Sequence, residues 1–383
     1  MAFGPTRPPM NPSRDDPETP RPRLRYAFIG SGAAVVDAHL EALRALPIEI
    51  VGMADIDAAR GAPQAAKNDC PFFAHHRDLL REVRPDAVIV CTPHPLHAEH
   101  ARDSLDARAH VLVEKPMAVD VGDADRMIEA AERARRVLAV NFQERFRPSV
   151  EFARGFIRHG ELGALLRVLA VEPWMRTAAY YRSAPWRGTW KGEGGGVLMN
   201  QAPHTLDMLC DLVGMPRKVW GMTRTRAHAI EAEDSAQAML EYANGAFGYV
   251  TASTVESGTD RRLEIIGDRA CLKLVDDELT IVHFDPPLRD HLTRSPDVFG
   301  QPGTRAEIVA LRPASDSRFH AAHRDFHEAI RDGRPPWCDG KSGLMSLELA
   351  NAITLSSHTE SPVSLPLDRI AYGRLLAGLR SHA

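Results

Sequence analysis

Between Gly194 and Asp207 the chain reads GGGVLMNQAPHTLD. Asn200, Gln201, His204 and Asp207 recur at spacings of three and four, which on a helix set side chains on one face. An imidazole titrates near neutral pH, so His204 can serve as an acid or base. The same text would also suit a satisfied surface helix. A second reactive group stands in Glu114-Lys115-Pro116, directly after the apolar run HVLV. A lysine at a strand's carboxyl end can donate to a hydroxyl or carbonyl and stabilise a developing alkoxide.

Three further stretches suit a nucleotide. In IGSGAAV, Gly30, Ser31, Gly32 and Ala33 match the start of a GxGxxG turn, which brings amides and a helix N-terminus to a pyrophosphate. Val35 stands where the third small residue belongs, which should push the helix off the sheet or shift its register. Asp55 and Ile56 follow IEIVGMA, about 25 residues on, where a carboxylate accepts hydrogen bonds from an adenosine ribose and repels a 2′-phosphate. Arg60 is the nearest base, so the reading favours NAD over NADP. Asp55 could equally cap the next helix. In CTPHPLHAEHA, Thr92 and Pro93 close a turn, with His94 and His97 beyond it. His97, Glu99 and His100 lack a further ligand at a fitting spacing, so no metal is assigned.

These groups need strands to carry them. LRYAFI (24–29), IEIVGMA (48–54), DAVIVC (86–91), HVLV (110–113) and VLAVN (137–141) are strand-length and mostly apolar, with helix-length stretches such as VVDAHLEALRAL and VGDADRMIEAAERAR between them. That alternation predicts a parallel sheet covered on both faces, with ligands at the strands' carboxyl ends. Farther on, KVWGMTR, SAQAMLEY, AFGYVTAST, RRLEIIG, ACLKL and ELTIVHF predict a largely antiparallel sheet, and ANGA (243–246) a hairpin turn. The expected organisation is a proline-rich disordered tail over 1–23, an α/β dinucleotide-binding domain over 24–145 and an α+β domain over 146–383 that binds substrate and oligomerises.

The chain's 383 residues carry 47 Lys plus Arg against 51 Asp plus Glu. A formal charge of −4 offers no electrostatic case for nucleic acid or an anionic membrane. No apolar run is long enough for a transmembrane helix. Five scattered cysteines form no CxxC pair, which argues for a reducing, cytoplasmic setting.

CTPHPLH, EKP, NFQERFRP (141–148) and GGGVLMNQAPHTLD, in that order, resemble the glucose–fructose oxidoreductase/inositol dehydrogenase (Gfo/Idh/MocA) family, over about Leu24 to Pro366. The resemblance implies a Rossmann domain, a second domain with a large open sheet, and NAD(P) chemistry on sugars, cyclitols or related alcohols. It implies that Lys115 touches nicotinamide and substrate, and that His204 is the general acid/base. Many members carry an aspartate where this chain has Asn200. An asparagine can orient a ring or a hydroxyl but holds no charge, and Asp207 is a possible substitute orienter. Trp186 and Arg187 resemble a pair that reaches the cofactor from the second domain. Gln143, within NFQERFRP, is placed with the cofactor.

Substrate is expected at Lys115, Arg145, Asn200, Gln201 and His204. The aromatic cluster Trp174, Tyr180, Tyr181, Trp186 and Trp190 suits stacking on a sugar ring; Trp174 and Tyr181 are assigned to it. Glu172, Glu193 and Asp207 against Arg145, Arg176 and Arg182 leave the substrate's charge open. The leading expectation is NAD-dependent oxidation of a secondary hydroxyl on a sugar, cyclitol or sugar-containing molecule. A keto-forming step before amination, as in aminoglycoside or amino-sugar synthesis, is one such reaction, with no sequence feature of its own. A cis-dihydrodiol dehydrogenase and a non-catalytic NAD-binding regulator are the alternatives. A homodimer or homotetramer through the second sheet is expected from the resemblance.

Overall fold

Strands β1 (Leu24–Ile29), β2 (Ile48–Ala54), β3 (Phe72–Phe73), β4 (Ala87–Val90), β5 (His110–Val113) and β6 (Leu138–Val140) form a parallel sheet in the order β3-β2-β1-β4-β5-β6. They come from a computed structural model that describes residues 22–311 and 316–381. The tail expected over 1–23 therefore lies, as far as residue 21, outside the described residues. The strands are near-continuous apolar runs because both faces are covered: Phe28, Val88, Ile89, Val111 and Val113 are fully buried. Helices α1 (Val36–Leu43), α2 (Ala58–Lys67), α3 (His76–Val83), α4 (His97–Asp106) and α5 (Val121–Ala134) supply the cover. Strand order reverses between β1 and β4, which opens a crevice at their carboxyl ends.

Helix α6 (Pro148–Arg158) leads to β7 (Leu165–Pro173). After the short helices α7 (Ala178–Arg182) and α8 (Val197–Asn200) comes α9 (Pro203–Val213). Then follow β8 (Lys218–Arg224), β9 (Ser235–Glu241), β10 (Phe247–Ser253), β11 (Arg262–Gly267), β12 (Ala270–Val275) and β13 (Glu278–Asp285), with α10 (Leu288–Arg294) and β14 (Gly303–Ile308) beyond. The chain closes with α11 (Arg318–Asp332), α12 (Gly340–Thr359), β15 (Val363–Ser364) and α13 (Arg369–Ser381). The nine-stranded sheet runs β14-β13-β12-β11-β7-β10-β9-β8-β15. Its neighbours are antiparallel except β7 and β10, which run parallel. The α+β class expected of the second half holds, and ANGA makes the turn between β9 and β10.

The six strands read from the second half stand within a residue or two of their expected limits. The reading missed β7, the strand in the middle. On β8 to β12 one face is buried and the other presents Trp220, Met239, Tyr249 and Lys273. Helix α12 lies beneath β8, where Gly221 N donates to Ser356 Oγ and Thr223 N to Ser357 Oγ, both at 2.8 Å. The C-terminal helices also return to the first sheet's layer. The Phe326 ring meets Tyr26 at 6.3 Å, and Val140 N donates to Cys338 O.

Candidate active site

The β1 turn is built as expected up to its third small residue. Gly30 adopts φ +89°, and a Cβ there would lie 2.7 Å from Cys91 C and Thr92 N, so only glycine lets β1 and β4 end side by side. Val35 ends the turn and flanks α1, which starts at Val36. Asp55 Oδ2 accepts from Gly32 N at 2.7 Å and Oδ1 from Asp57 N at 2.8 Å. The capping alternative for Asp55 is corrected, because Asp57 caps α2 through Ala59 N.

The residues present fit a dinucleotide. Ser31 Oγ is buried without a partner, Ile56 is 87% exposed, and Arg60 is exposed beside Gly32. The first would meet a phosphate, the second an adenine face, and the Asp55 carboxylate a ribose.

At the next strand end Thr92 Oγ1 pairs with His100 Nδ1 at 3.0 Å, and the turn continues through Pro93 to His94. His94 Nδ1 lies 3.1 Å from Glu193 O and its ring 6.1 Å from Trp186. So Trp186 arrives from the second half beside the β4 loop, with Arg187 stacked on its ring at 4.4 Å.

His97, read beside the cofactor turn, and Glu114, before Lys115, both turn their side chains to partners within the protein. His97 is fully buried, with Nε2 2.7 Å from Thr92 O and Nδ1 2.8 Å from Pro116 O. It braces the β4 and β5 loops from beneath. The Glu114 carboxylate accepts from His39 Nε2 at 3.0 Å and Asn141 Nδ2 at 2.5 Å. Burial opposes its charge, but His39 and Asn141 outweigh that and hold it down to about 2. His39 Nδ1 in turn meets His323 Nε2 of α11 at 2.8 Å. Among the described residues, neither His97 nor His100 joins a metal-like group. The histidine–acid cluster on α3 and α4 is instead His76, Glu99 and Asp103, and Arg77 already holds both carboxylates.

Lys115 follows β5, and its Nζ donates to Asn200 O at 2.8 Å. His204 opens α9 behind Pro203. Its Nε2 sits 3.5 Å from Gln143 Nε2 after β6, and its ring meets Phe142 edge-on at 5.9 Å. Lys115, Gln143, Asn200 and His204 are therefore brought together between the two sheets. The expectation of one helix carrying Asn200 and His204 is corrected: α8 ends at Asn200 and α9 begins at Pro203. Burial, with the Lys115 ammonium, pushes His204 down to about 3. Burial also lowers Lys115, while Glu114 and Glu193 oppose the fall.

The glycine run serves α8. A Cβ on Gly196 would lie 1.8 Å from Glu233 O, and Glu233 Oε1 accepts from Gly196 N and Leu198 N at 3.0 Å each. Burial raises Glu233 to about 7.

Arg145 is not a substrate group. It is 1% exposed, and Asp207 takes its Nε at 2.8 Å and a second nitrogen at 2.5 Å. This pairing also removes Asp207 as an orienter of His204, whose Nδ1 is buried without a partner. Glu172 is likewise neutralised by Arg261 at 2.9 Å.

The aromatic cluster divides. Trp190 is buried against His358, while Trp174 is 39% exposed with Arg176 stacked 4.8 Å from its ring. Tyr181 turns toward β10 and bonds Thr254 Oγ1 at 3.0 Å. The member of the cluster that was named without being assigned to substrate is Tyr180. Its hydroxyl accepts from Arg187 at 2.6 Å and from Gln201 Nε2 at 3.1 Å. Arg176 and Arg187 stack on its ring at 4.9 and 4.2 Å. Adjacent tyrosines look alike in sequence; only the fold says which faces the site.

Comparison with known proteins places this geometry. An oxidoreductase family with an NAD-binding Rossmann fold matches residues 24–142, and the GFO/IDH/MocA C-terminal domain matches 150–273. The chain is 31% identical to a UDP-N-acetylglucosamine 3-dehydrogenase of Acidithiobacillus ferrooxidans, over 79% of this chain and 88% of that one. It is 31% identical to a 1-carboxy-3-chloro-3,4-dihydroxycyclohexa-1,5-diene dehydrogenase of Comamonas testosteroni, over 60% and 58%. The WlbA dehydrogenase of Bordetella pertussis, solved with NADH and UDP-GlcNAcA, superposes with a TM-score of 0.77 at 27% identity, over 90% of this chain and all of that one. The chain belongs to the GFO/IDH/MocA oxidoreductases, built on an NAD-binding Rossmann fold.

Proposed function

We propose that this protein is an NAD-dependent dehydrogenase that oxidises a secondary hydroxyl of a sugar, cyclitol or sugar-containing molecule to a ketone, reversibly. The observation that carries the reading is the meeting of the Lys115 ammonium, Asn200 and a neutral His204 at the carboxyl edge of β5 and β6. NAD supplies the hydride acceptor, and the protein orients the alcohol and handles its proton. Lys115 donates to the reacting oxygen and stabilises charge developing there. Nε2 of His204, on the Gln143 side, takes the hydroxyl proton, since Nδ1 is enclosed. Asn200 holds the hydroxyl or the ring, with Gln201 fixed behind it by Tyr180.

The test is NADH formation from NAD, then NADPH from NADP, over hexoses, nucleotide sugars, inositols, aminoglycosides and a cis-dihydrodiol. Turnover on a ring alcohol, lost in Lys115→Ala, supports the reading. Silence across the panel with tight NADH binding favours the regulator. The likeness to the Comamonas testosteroni enzyme favours a carbocyclic diol as the second reading.

Asp55 sets the cofactor choice. In Asp55→Asn the charge is lost, and the single amide oxygen can accept from only one of Gly32 N and Asp57 N. Discrimination against NADPH is expected to fall about 10-fold, the scale of one charge-assisted hydrogen bond. Fluorescence titration with NADH and NADPH reads this, and an unchanged ratio would clear Asp55 of the role.

The open sheet face is the assembly surface in this reading. Trp220, Met239, Tyr249 and Leu169 align across β8, β9, β10 and β7, and the first three are 39%, 48% and 40% exposed. Such an apolar row marks a contact with a second copy. Trp220→Glu with Tyr249→Glu should yield a monomer in sedimentation; an unchanged oligomer would place the interface elsewhere. Five unpaired thiols suit a reducing, cytoplasmic setting. No helix among the described residues is long and apolar enough to cross a membrane.

A further inference from the structure

Lys115 must keep an ammonium charged while half-buried. Two carboxylates face it. Glu114 is already committed to His39, Asn141 and the Lys115 amide. Glu193 approaches from the other side, out of the loop between α7 and α8, and is 1% exposed. One of its oxygens accepts from Gly188 N at 2.5 Å, and the other accepts from Asn200 Nδ2. Asn200 O is the acceptor for Lys115 Nζ. A carboxylate, an asparagine and an ammonium thus form one connected unit. A carboxylate can only accept, so the Asn200 nitrogen must face Glu193 and its Oδ1 is left for another donor.

The remaining charges around Lys115 are unfavourable to it. Arg176 and Arg187 lie near and form no ion pair among the described residues, and His94 and His204 flank it as neutral rings. Around Glu193 stand Arg187, Lys115, Tyr180, Tyr181 and Glu233, the last held by the amides of α8. Glu193 is therefore an anion on the second-sheet side of the ammonium, bonded to Gly188 N and Asn200 Nδ2 and in no ion pair among the described residues.

We propose that Glu193 is a positioning residue for the reaction: its nearby charge keeps the Lys115 ammonium charged, and its bond to Nδ2 holds Asn200 with Oδ1 free for a substrate hydroxyl. The proposal rests on the roles given above to Lys115 and Asn200. In Glu193→Gln the new amide can still accept from Gly188 N, but it offers N–H to Asn200. Asn200 must then turn over, which consumes its oxygen. In Glu193→Gln/Asn200→Asp the carboxylate returns, one residue nearer the lysine.

The test does not need a known substrate. The chain has six lysines, so reductive 13C-methylation gives few NMR resonances, and Lys115→Arg identifies the one sought. With NADH bound, the Lys115 midpoint is expected to fall by about one pH unit or more in Glu193→Gln, as for loss of a nearby opposite charge. It should return to or above the wild-type value in the double variant. With an active substrate, the alkaline limb of kcat should move down in parallel while the KM for NAD stays fixed. An unchanged midpoint in folded Glu193→Gln overturns the proposal. If that variant does not fold, a midpoint below wild type in the double variant overturns it. Absence of turnover on the panel would count against the dehydrogenase reading and leave the titration to judge Glu193.

Discussion

Lys115→Ala is expected to cut turnover about 10²-fold or more, with NADH affinity changed far less. Among the described residues no other ammonium donates to Asn200, and in the proposed reaction Lys115 sits where oxygen gains charge as hydride leaves carbon. Because burial lowers its pKa, the active ammonium is lost as pH rises, and the rate should fall on the alkaline side earlier than an exposed lysine would allow. His204→Ala should match the loss in turnover, for a different reason. At about 3 its imidazole is neutral across the working range, so it is free to accept the hydroxyl proton, and no acid limb near pH 6 should arise from it. Such a weak base works only against an oxygen already made acidic by Lys115, so the two variants should be far from additive. Steady-state rates of both single variants and the double variant check this. A near-normal rate in either single variant removes that residue from the chemistry.

The placement of Lys115 and His204 was legible because local text locates them: one ends an apolar strand and one follows a glycine run. The first sheet was legible for the same reason, since strands buried on both faces read as apolar runs. What stayed hidden depends on partners distant in sequence. Arg145 looks like a substrate arginine until Asp207, 62 residues on, is seen to hold it. His97 looks like a ligand until carbonyls 5 and 19 residues away occupy both ring nitrogens. Glu193 and Glu233 carry no periodic or motif signal: Glu233 holds the amides of Gly196 and Leu198, and Glu193 holds Gly188 N and the Asn200 side chain. β7 was passed over although LLRVLAVEP alternates burial, and its pairing with β10 and β11 could not be read from its own residues.

Arg145→Met should destabilise the fold by about 3–5 kcal/mol, the usual consequence of leaving a buried charge without its partner. Asp207 would be left fully buried with Arg145's two hydrogen bonds gone. The arginine also donates to Trp337 O and Ser342 Oγ, both at 3.2 Å, so it joins the loop after β6 to α9 and to the entry of α12. Arg154 carries the neighbouring load: it pairs with Asp211 at 2.6 Å and lies 3.7 Å over the Trp337 ring. Thermal or denaturant unfolding measures the loss. Arg145→Met/Asp207→Leu should recover much of it, because an apolar pair of similar volume avoids the desolvation of both charges. Activity need not follow stability back. Asp207 lies one turn beyond His204 on α9, and Arg145 two residues beyond Gln143, so the ion pair fixes the spacing between the imidazole and the β6 edge. The double variant is expected to fold well and still show reduced kcat with little change in KM. The opposite pattern, a raised KM with unfolding unchanged in Arg145→Met, would return the arginine to the substrate.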